Sequence, residues 1–198
     1  MSNESTDFER QILSLALMEK ELYELYTNLS SKVEDLSART LFSYIATDSL
    51  KHSTILATII DEVDGQKTRE IDCDVNILYN IEMIKSLSKD TSQTRRISQE
   101  EVILLIDTLT SFESLLLTEY KKAFHLELKS FTKYGQEKND DTDLNIFNLI
   151  IGDEERHQKI LASIIRLFDN KMTFKSNTPI VKYQNPDSWY VPPRRSSQ

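Results

Sequence analysis

Apolar residues recur with helical spacing along four long segments of the chain, and this pattern predicts four long helices. The segments run from about Ser5 to Val33, from Asp35 to Gly65, from Ser98 to Tyr134 and from Thr142 to Asn170. A shorter helix is predicted around Val75–Leu87, inside the long connection formed by residues 66–97. Short, long and short connections are typical of a bundle with one crossover, here between the second and third long helices. The sequence therefore predicts an all-α fold, with a four-helix bundle over residues 1–170 and an extended C-terminal tail over 171–198.

The distribution of proline and glycine supports this prediction. All four prolines lie within the last twenty residues, and the 198-residue chain contains only three glycines. Because proline interrupts helices and glycine favours turns, their scarcity elsewhere favours long helices and argues against an all-β fold.

Charge and cysteine content exclude several classes of protein. The chain has 24 basic and 32 acidic residues, a net charge of −8, which argues against nucleic acid or an anionic membrane as a partner. No apolar run approaches the roughly 18–20 residues that span a bilayer, and the N-terminus lacks the pattern of a signal peptide. The single cysteine, Cys73, excludes an internal disulfide and a multi-cysteine metal site. These features predict a cytoplasmic protein.

The two halves of the chain repeat each other. Between the second and fourth segments the shift is 105 residues, which aligns Phe42 with Phe147, Ile45 with Ile150, Ser49 with Glu154, His52 with His157 and Leu56 with Leu161. Between the first and third segments the shift is 94 residues, which aligns Ile12 with Ile106, Leu15 with Leu109, Glu19 with Glu113, Leu22 with Leu116 and Tyr26 with Tyr120. A helical pair therefore occurs twice.

Each copy of the pair carries polar groups inside an apolar stripe. These groups are Glu19, His52, Glu113, Glu154 and His157. A buried carboxylate must be paired, protonated or bound to metal, and no lysine or arginine enters the stripes at these levels. Carboxylates combined with imidazole suit iron or manganese, and zinc less specifically. The pattern predicts one metal site shared by four helices.

Each of these residues also has an ordinary interpretation when taken alone. Glu19 lies in the charged run MEKELYELY, Glu-x-x-His is frequent by chance on acidic helices, and a stripe histidine is more often a hydrogen-bonded core residue. Tyr26 and Tyr120 alone would be ordinary core aromatics, and His125, outside the repeat, is expected to be a surface or packing residue. The joint repeat, which aligns Glu with Glu and His with His, favours the shared site.

These residues resemble a known family. The segment EKELYELY with His52 placed 33 residues after Glu19, and the later Glu113, Tyr120 and run DEERH, are similar to the rubrerythrin-like branch of the ferritin-like superfamily. The resemblance covers about residues 8–170 and implies a ferritin-like bundle with a di-iron or mixed-metal carboxylate site. It implies that the ligands are Glu19, His52, Glu113, Glu154 and His157. It also implies that Tyr26 and Tyr120 contact these ligands without binding metal themselves.

The sequence departs from the family pattern at Ser49, which stands where a bridging glutamate is expected. Asp48 is a further candidate ligand, but its counterpart Asp153 lies beside an intact Glu154, which favours a surface position for Asp48. Glu19, Glu113 and Glu154 alone supply three negative charges against the four positive charges of two divalent ions. A two-metal site would need Asp48, hydroxide or another anion, and the alternative is a single metal held mostly by Glu113, Glu154 and His157.

The second departure concerns electron supply, because one cysteine cannot build the four-cysteine module of full-length rubrerythrins. Redox turnover would need an external electron donor, or ferrous iron as the substrate. The leading hypothesis is oxidase, peroxidase or ferroxidase chemistry on O2 or H2O2. The alternatives are a metal-binding or metal-free structural protein whose site degenerated at Ser49, and a hydroxylase of an organic or tRNA substrate. A homodimer or higher homo-oligomer is expected.

Overall fold

The computed structural model describes the backbone of residues 3–64, 75–134 and 141–173, and side chains within 7–60, 77–126 and 145–168. Three features of the sequence interpretation lie outside these residues: the helix end at Gly65, the loop that follows Tyr134, and the tail beyond Thr173. The predicted domain boundary at residue 170 therefore stays a prediction.

The described part of the chain forms five helices and contains no strand. They are α1 (Asn3–Lys32), α2 (Leu36–Asp64), α3 (Val75–Gln93), α4 (Gln99–Tyr134) and α5 (Asp141–Thr173). The all-α prediction is confirmed, and the long helices begin and end within a few residues of the predicted positions. None of the described helices combines the length and the apolar character needed to span a membrane.

Local side-chain hydrogen bonds explain where two of the helices begin. Asp35 caps α2, because its Oδ1 accepts a hydrogen bond of 3.0 Å from the Ala38 amide. Ser98 and Glu101 form a capping box at α4, in which each side chain accepts a bond from the other residue's amide, at 3.3 and 2.8 Å. Polar residues at these two positions thus satisfy amides that have no partner inside the helix.

The α3 helix is longer than predicted, since it continues past Leu87 to Gln93. Its last turns are rich in Ser, Thr and Asp, which are weak helix formers, and α1 stabilises them by tertiary contacts. Asn28 donates to Oγ of Ser88 at 3.0 Å. Lys32 donates to the carbonyl of Ser92 at the C-terminal end of the helix. Packing against α1 therefore overrides the weak local propensity.

Contacts between helices give their relative directions. Glu19 of α1 contacts His52 of α2, while Tyr26 further along α1 stacks on Phe42, so α1 and α2 run antiparallel. The α4 helix is antiparallel to α1, and α5 is antiparallel to α2. The contacts that establish this join Gln11 to Glu119, Tyr26 to Glu113, Tyr44 to Arg156 and Lys51 to Asp153. Consequently α2 and α4 point the same way, and α3, parallel to α1, lies between them in the chain.

The core is built from the predicted apolar stripes. The stripes of α2 and α5 are buried where their side chains are described. Their buried apolar members include Phe42, Ile45, Leu56, Phe147, Ile150, Leu161 and Ile164. Among the residues whose side chains are described, eleven buried ones are polar or charged, and five of these are the predicted ligands. The polar groups of the stripes thus lie within the core.

We expect the Ser98→Ala substitution to lower the free energy of unfolding by about 1 kcal/mol, because it removes the hydroxyl that accepts the hydrogen bond from the Glu101 amide. Urea denaturation would measure the change. Ser114→Ala is the matched control, because Ser114 is an exposed serine in the middle of the same helix. An equal effect of the two substitutions would contradict a capping role for Ser98.

Candidate metal centre

The five predicted ligands come together at one buried location. Each of their side chains is fully shielded from solvent, and the residues are Glu19 of α1, His52 of α2, Glu113 of α4, and Glu154 and His157 of α5. The ordinary interpretation of Glu19 as a solvated charge is therefore wrong. His125, by contrast, is exposed and contacts Phe124.

The ligand atoms form two groups that share Glu154. One group is Glu19, His52 and Glu154, and the other is Glu113, Glu154 and His157. Within each group the donor atoms lie within 4.8 Å of one another, which is compact enough to surround one ion. The two imidazole rings are 6.1 Å apart between centroids. Glu154 therefore lies where it could contact ions in both groups.

In the first group, Nδ1 of His52 lies 3.0 Å from Oε1 of Glu19 and 3.1 Å from Oε1 of Glu154. In the second group, Nδ1 of His157 lies 3.1 Å from Oε2 of Glu113 and 3.7 Å from Oε2 of Glu154. Both histidines thus direct the same ring nitrogen at the carboxylates. This matched orientation follows the sequence repeat.

The two buried tyrosines bind the carboxylates from the opposite half of the repeat. Tyr120 of α4 donates to Oε1 of Glu19 at 2.7 Å, and Tyr26 of α1 donates to Oε1 of Glu113. Burial and the neighbouring carboxylates raise the pKa of both phenols well above the ordinary value, so both remain protonated donors. The expectation that they contact the proposed ligands agrees with this geometry.

The outer ring nitrogens of the histidines contact aspartates. Nε2 of His157 lies 3.3 Å from Oδ2 of Asp48, and Nε2 of His52 lies 3.2 Å from Oδ2 of Asp153. Lys51 donates to both aspartates, at 2.8 and 2.9 Å. The structure therefore places Asp48 on the far side of His157 from the carboxylates, and it belongs to neither donor group.

The sequence interpretation missed the role of Asp153 and the two cations beside it. Asp153 accepts from Lys51 and from Arg156, and Arg156 also donates to Tyr44 at 3.1 Å. The shift of 105 residues that aligns Ser49 with Glu154 also aligns Asp48 with Asp153. That alignment was the available signal that the two aspartates are equivalent.

Several buried oxygens of the centre have no hydrogen-bond partner among the described residues. They are Oε2 of Glu19, both carboxylate oxygens of Glu154 and Oγ of Ser49. A buried polar atom without a partner is costly and rare in native structures. Glu19 and Glu154 belong to the donor groups. The only described groups close to the Glu154 oxygens in an ion pair are Nδ1 of His52 and Nδ1 of His157, so a metal cation there could satisfy the remaining acceptor capacity. By this criterion the side chains fit a metal.

The carboxylates and imidazoles of the centre shift one another's pKa. Burial, together with the charges of Glu19 and Glu113, raises the pKa of Glu154 to about 8. Burial alone would lower the pKa of the histidines, but the adjacent carboxylates outweigh it and raise the pKa of His52 to about 10 and of His157 to about 11. At neutral pH the metal-free centre therefore keeps protons on Glu154 and on both imidazoles.

Hydrogen bonds also outweigh burial at the two outer aspartates, where they lower the pKa. Burial would raise the pKa of Asp153, yet its bonds with Lys51 and His52 lower it to about 2. The pKa of Asp48 is lowered against its partial burial by the bonds with Lys51 and His157. Both aspartates are therefore ionised acceptors at neutral pH.

Comparison of the chain with protein-family models, with curated proteins and with solved structures found no match. The resemblance to the rubrerythrin-like branch therefore stays a prediction from the residues of the sequence.

In the metal-free protein, we expect the free energy of unfolding to fall as the pH rises from about 6.5 to about 10. His52 and His157 hold protons in the folded state that an unfolded chain releases near the ordinary pKa of 6.5. Glu154 acts in the same direction from its ordinary pKa of 4.5 upward. The folded state thus binds more protons across this range, and its stability decreases with pH.

Chemical denaturation in the presence of a chelator, at a series of pH values, would measure this slope. His157→Gln should flatten the profile, because it removes one of the protonated imidazoles. His125→Gln, which changes an exposed histidine outside the centre, should leave the slope unchanged. A wild-type profile without any slope between about pH 7 and 9 would contradict the expected protonation of the centre.

Proposed function

We propose that this protein is a ferritin-like di-metal carboxylate protein that carries out oxidase, peroxidase or ferroxidase chemistry on O2 or H2O2. The observation that carries the proposal is Glu154, a fully buried glutamate whose two oxygens accept no well-oriented hydrogen bond among the described groups, although Nδ1 of His52 lies 3.1 Å from one and Nδ1 of His157 lies 3.7 Å from the other. Glu154 belongs to both donor groups, one with Glu19 and His52 and the other with Glu113 and His157. A buried carboxylate shared by both donor groups suits a bridge between two ions.

The helix directions support a ferritin-like arrangement. We infer that α1, α2, α4 and α5 form the four-helix bundle and that α3 belongs to the crossover between its halves. The parallel directions of α2 and α4 require the chain to return between them, and a bundle with one crossover has this property. The contacts of Asn28 and Lys32 with α3 are consistent with a return along α1.

Glu19 and His52 would hold one ion, Glu113 and His157 the other, and Glu154 both. Iron is the expected metal, with manganese or zinc as alternatives. When bound, a pair of redox-active ions would supply electrons for the reduction of O2 or H2O2. The chain's own contribution is to orient the donors and to exclude water, since all five side chains are inaccessible to solvent.

The surrounding residues hold the ligands in place. Tyr26 and Tyr120 each fix one oxygen of Glu113 and Glu19, so the remaining oxygen of each carboxylate can face an ion. Asp48 and Asp153 accept from Nε2 of the histidines, which favours the tautomer with a free Nδ1 toward the centre. Lys51 and Arg156 keep the two aspartates charged.

The first test is a titration with Co(II), a redox-stable stand-in for Fe(II). Wild-type protein should bind two equivalents, whereas Glu154→Gln should weaken binding by about 100-fold or more, because it removes the charge shared by both ions. Glu155→Gln is the matched control, because the Glu155 side chain is half exposed and pairs with Lys121. Unchanged Co(II) binding in Glu154→Gln would overturn the metal-centre proposal in favour of a structural role.

A second test distinguishes the roles of the two aspartates. Asp48→Asn and Asp153→Asn should each weaken Co(II) binding by about 10-fold, because each weakens the acceptor on an outer histidine nitrogen without removing a donor of the centre. A far larger loss for Asp48→Asn than for Asp153→Asn would instead identify Asp48 as a ligand. The comparison is internally controlled, because the two residues occupy equivalent positions of the repeat.

The chemistry is tested separately from binding. Protein loaded anaerobically with Fe(II) should oxidise the iron when O2 or H2O2 is added, with consumption of the oxidant, and Glu154→Gln should not. Preference for one oxidant would separate a peroxidase from an oxidase or ferroxidase. Two bound ions without any oxidation would support the alternative of a metal-binding structural protein.

A further inference from the structure

Ser49 is the point at which the two halves of the centre differ. It occupies the position that corresponds to Glu154 in the 105-residue repeat, and it is 1% exposed. Its Oγ has no hydrogen-bond partner among the described groups. A buried hydroxyl without a partner is unfavourable. Ser49 Oγ therefore lacks a hydrogen-bond partner that a further bound group could supply.

If the centre holds two metal ions, as proposed above, its carboxylates do not fully balance their positive charge. Two divalent ions bring +4, and Glu19, Glu113 and Glu154 bring −3, which leaves +1 when the histidines are neutral ligands. An uncompensated charge in a solvent-free core is costly, so one monovalent anion is required.

The described side chains around the centre do not supply that anion. Asp48 and Asp153 are the nearest further carboxylates, and both are bound on the outer side of the histidines. They are also balanced already, because their two negative charges are matched by the positive charges of Lys51 and Arg156. The missing charge must therefore come from outside the described chain.

The difference between the two aligned side chains indicates the chemical class of the anion. A glutamate side chain exceeds a serine side chain by three heavy atoms, which is the number in formate. A carboxylate would replace both the charge and the two oxygen donors that Glu154 provides at the equivalent position, whereas hydroxide provides a single oxygen. We propose that a small external carboxylate, of the size of formate or acetate, binds at Ser49 and completes the centre opposite Glu154. Ser49 Oγ donates a hydrogen bond to it.

A cleft lies beside Asp48, the sequence neighbour of Ser49. It has a volume of about 550 Å³ and is lined by Asp48 and by Arg39, Ser43, Tyr44 and other residues. Nε of Arg39 is buried and has no partner among the described residues. The lining of this cleft thus combines a cation and several hydroxyls with the carboxylate of Asp48.

The experiment is a Co(II) titration by calorimetry and visible absorption in a buffer without carboxylates, with sodium formate or with sodium chloride at equal ionic strength. For wild-type protein, formate should tighten binding of the second Co(II) ion by about tenfold or more and change the absorption of bound Co(II). Ser49→Glu should bind the second ion tightly without formate and lose the formate effect. Ser49→Ala should keep the effect, about fivefold weaker, because it loses one hydrogen bond to the anion.

A series of carboxylates on the wild-type protein provides an independent test, because a fourth buried glutamate could hinder folding of Ser49→Glu without metal. Formate and acetate should act, whereas the bulky pivalate should not. Equal effects of formate and chloride, or an undiminished formate effect in folded Ser49→Glu, would overturn the proposal. Two Co(II) ions bound with no response to formate would overturn it while leaving the metal centre intact, and no Co(II) binding at all would overturn both.

Discussion

The burial of Glu154 between two other carboxylates is the constraint on which the rest of the centre depends. Three acidic side chains in a core without solvent repel one another unless cations separate them. In the metal-free protein the cations are the protonated His52 and His157, and Glu154 itself holds a proton. Without metal, protons thus offset the repulsion among these carboxylates. Metal binding would release these protons, which would couple affinity to pH.

The two halves of the centre depend on each other. Tyr26 of the first half binds Glu113 of the second, and Asp153 of the second half binds His52 of the first. Neither helical pair alone therefore contains a complete donor group with its supporting hydrogen bonds. The repeat in the sequence describes two similar pairs, but the structure exchanges contacts between them, so that assembly of both pairs creates the site.

The sequence was sufficient to predict what periodicity and the repeat encode, namely the long helices, the buried stripes and the five residues that converge. It was insufficient for features that depend on contacts between helices. The end of α3 at Gln93 depends on Asn28 and Lys32 of α1, which local propensity does not reveal. The outward position of Asp48 depends on its distance to His157 across the helix interface. A helical periodicity gives the face of a residue, but not the atom on the neighbouring helix that it will contact.

The two halves of the centre differ at Ser49, and this difference decides which helix supplies carboxylate to the two proposed ions. Because α5 alone supplies the shared carboxylate, both ions would depend on one side chain, and the α2 side would keep a neutral, short hydroxyl. A glutamate at that position would complete the centre permanently, whereas with a serine the fourth negative charge would have to come from an exchangeable anion. Ser49 thus removes a charge that the α5 half keeps, and the anion proposed to bind there would restore it.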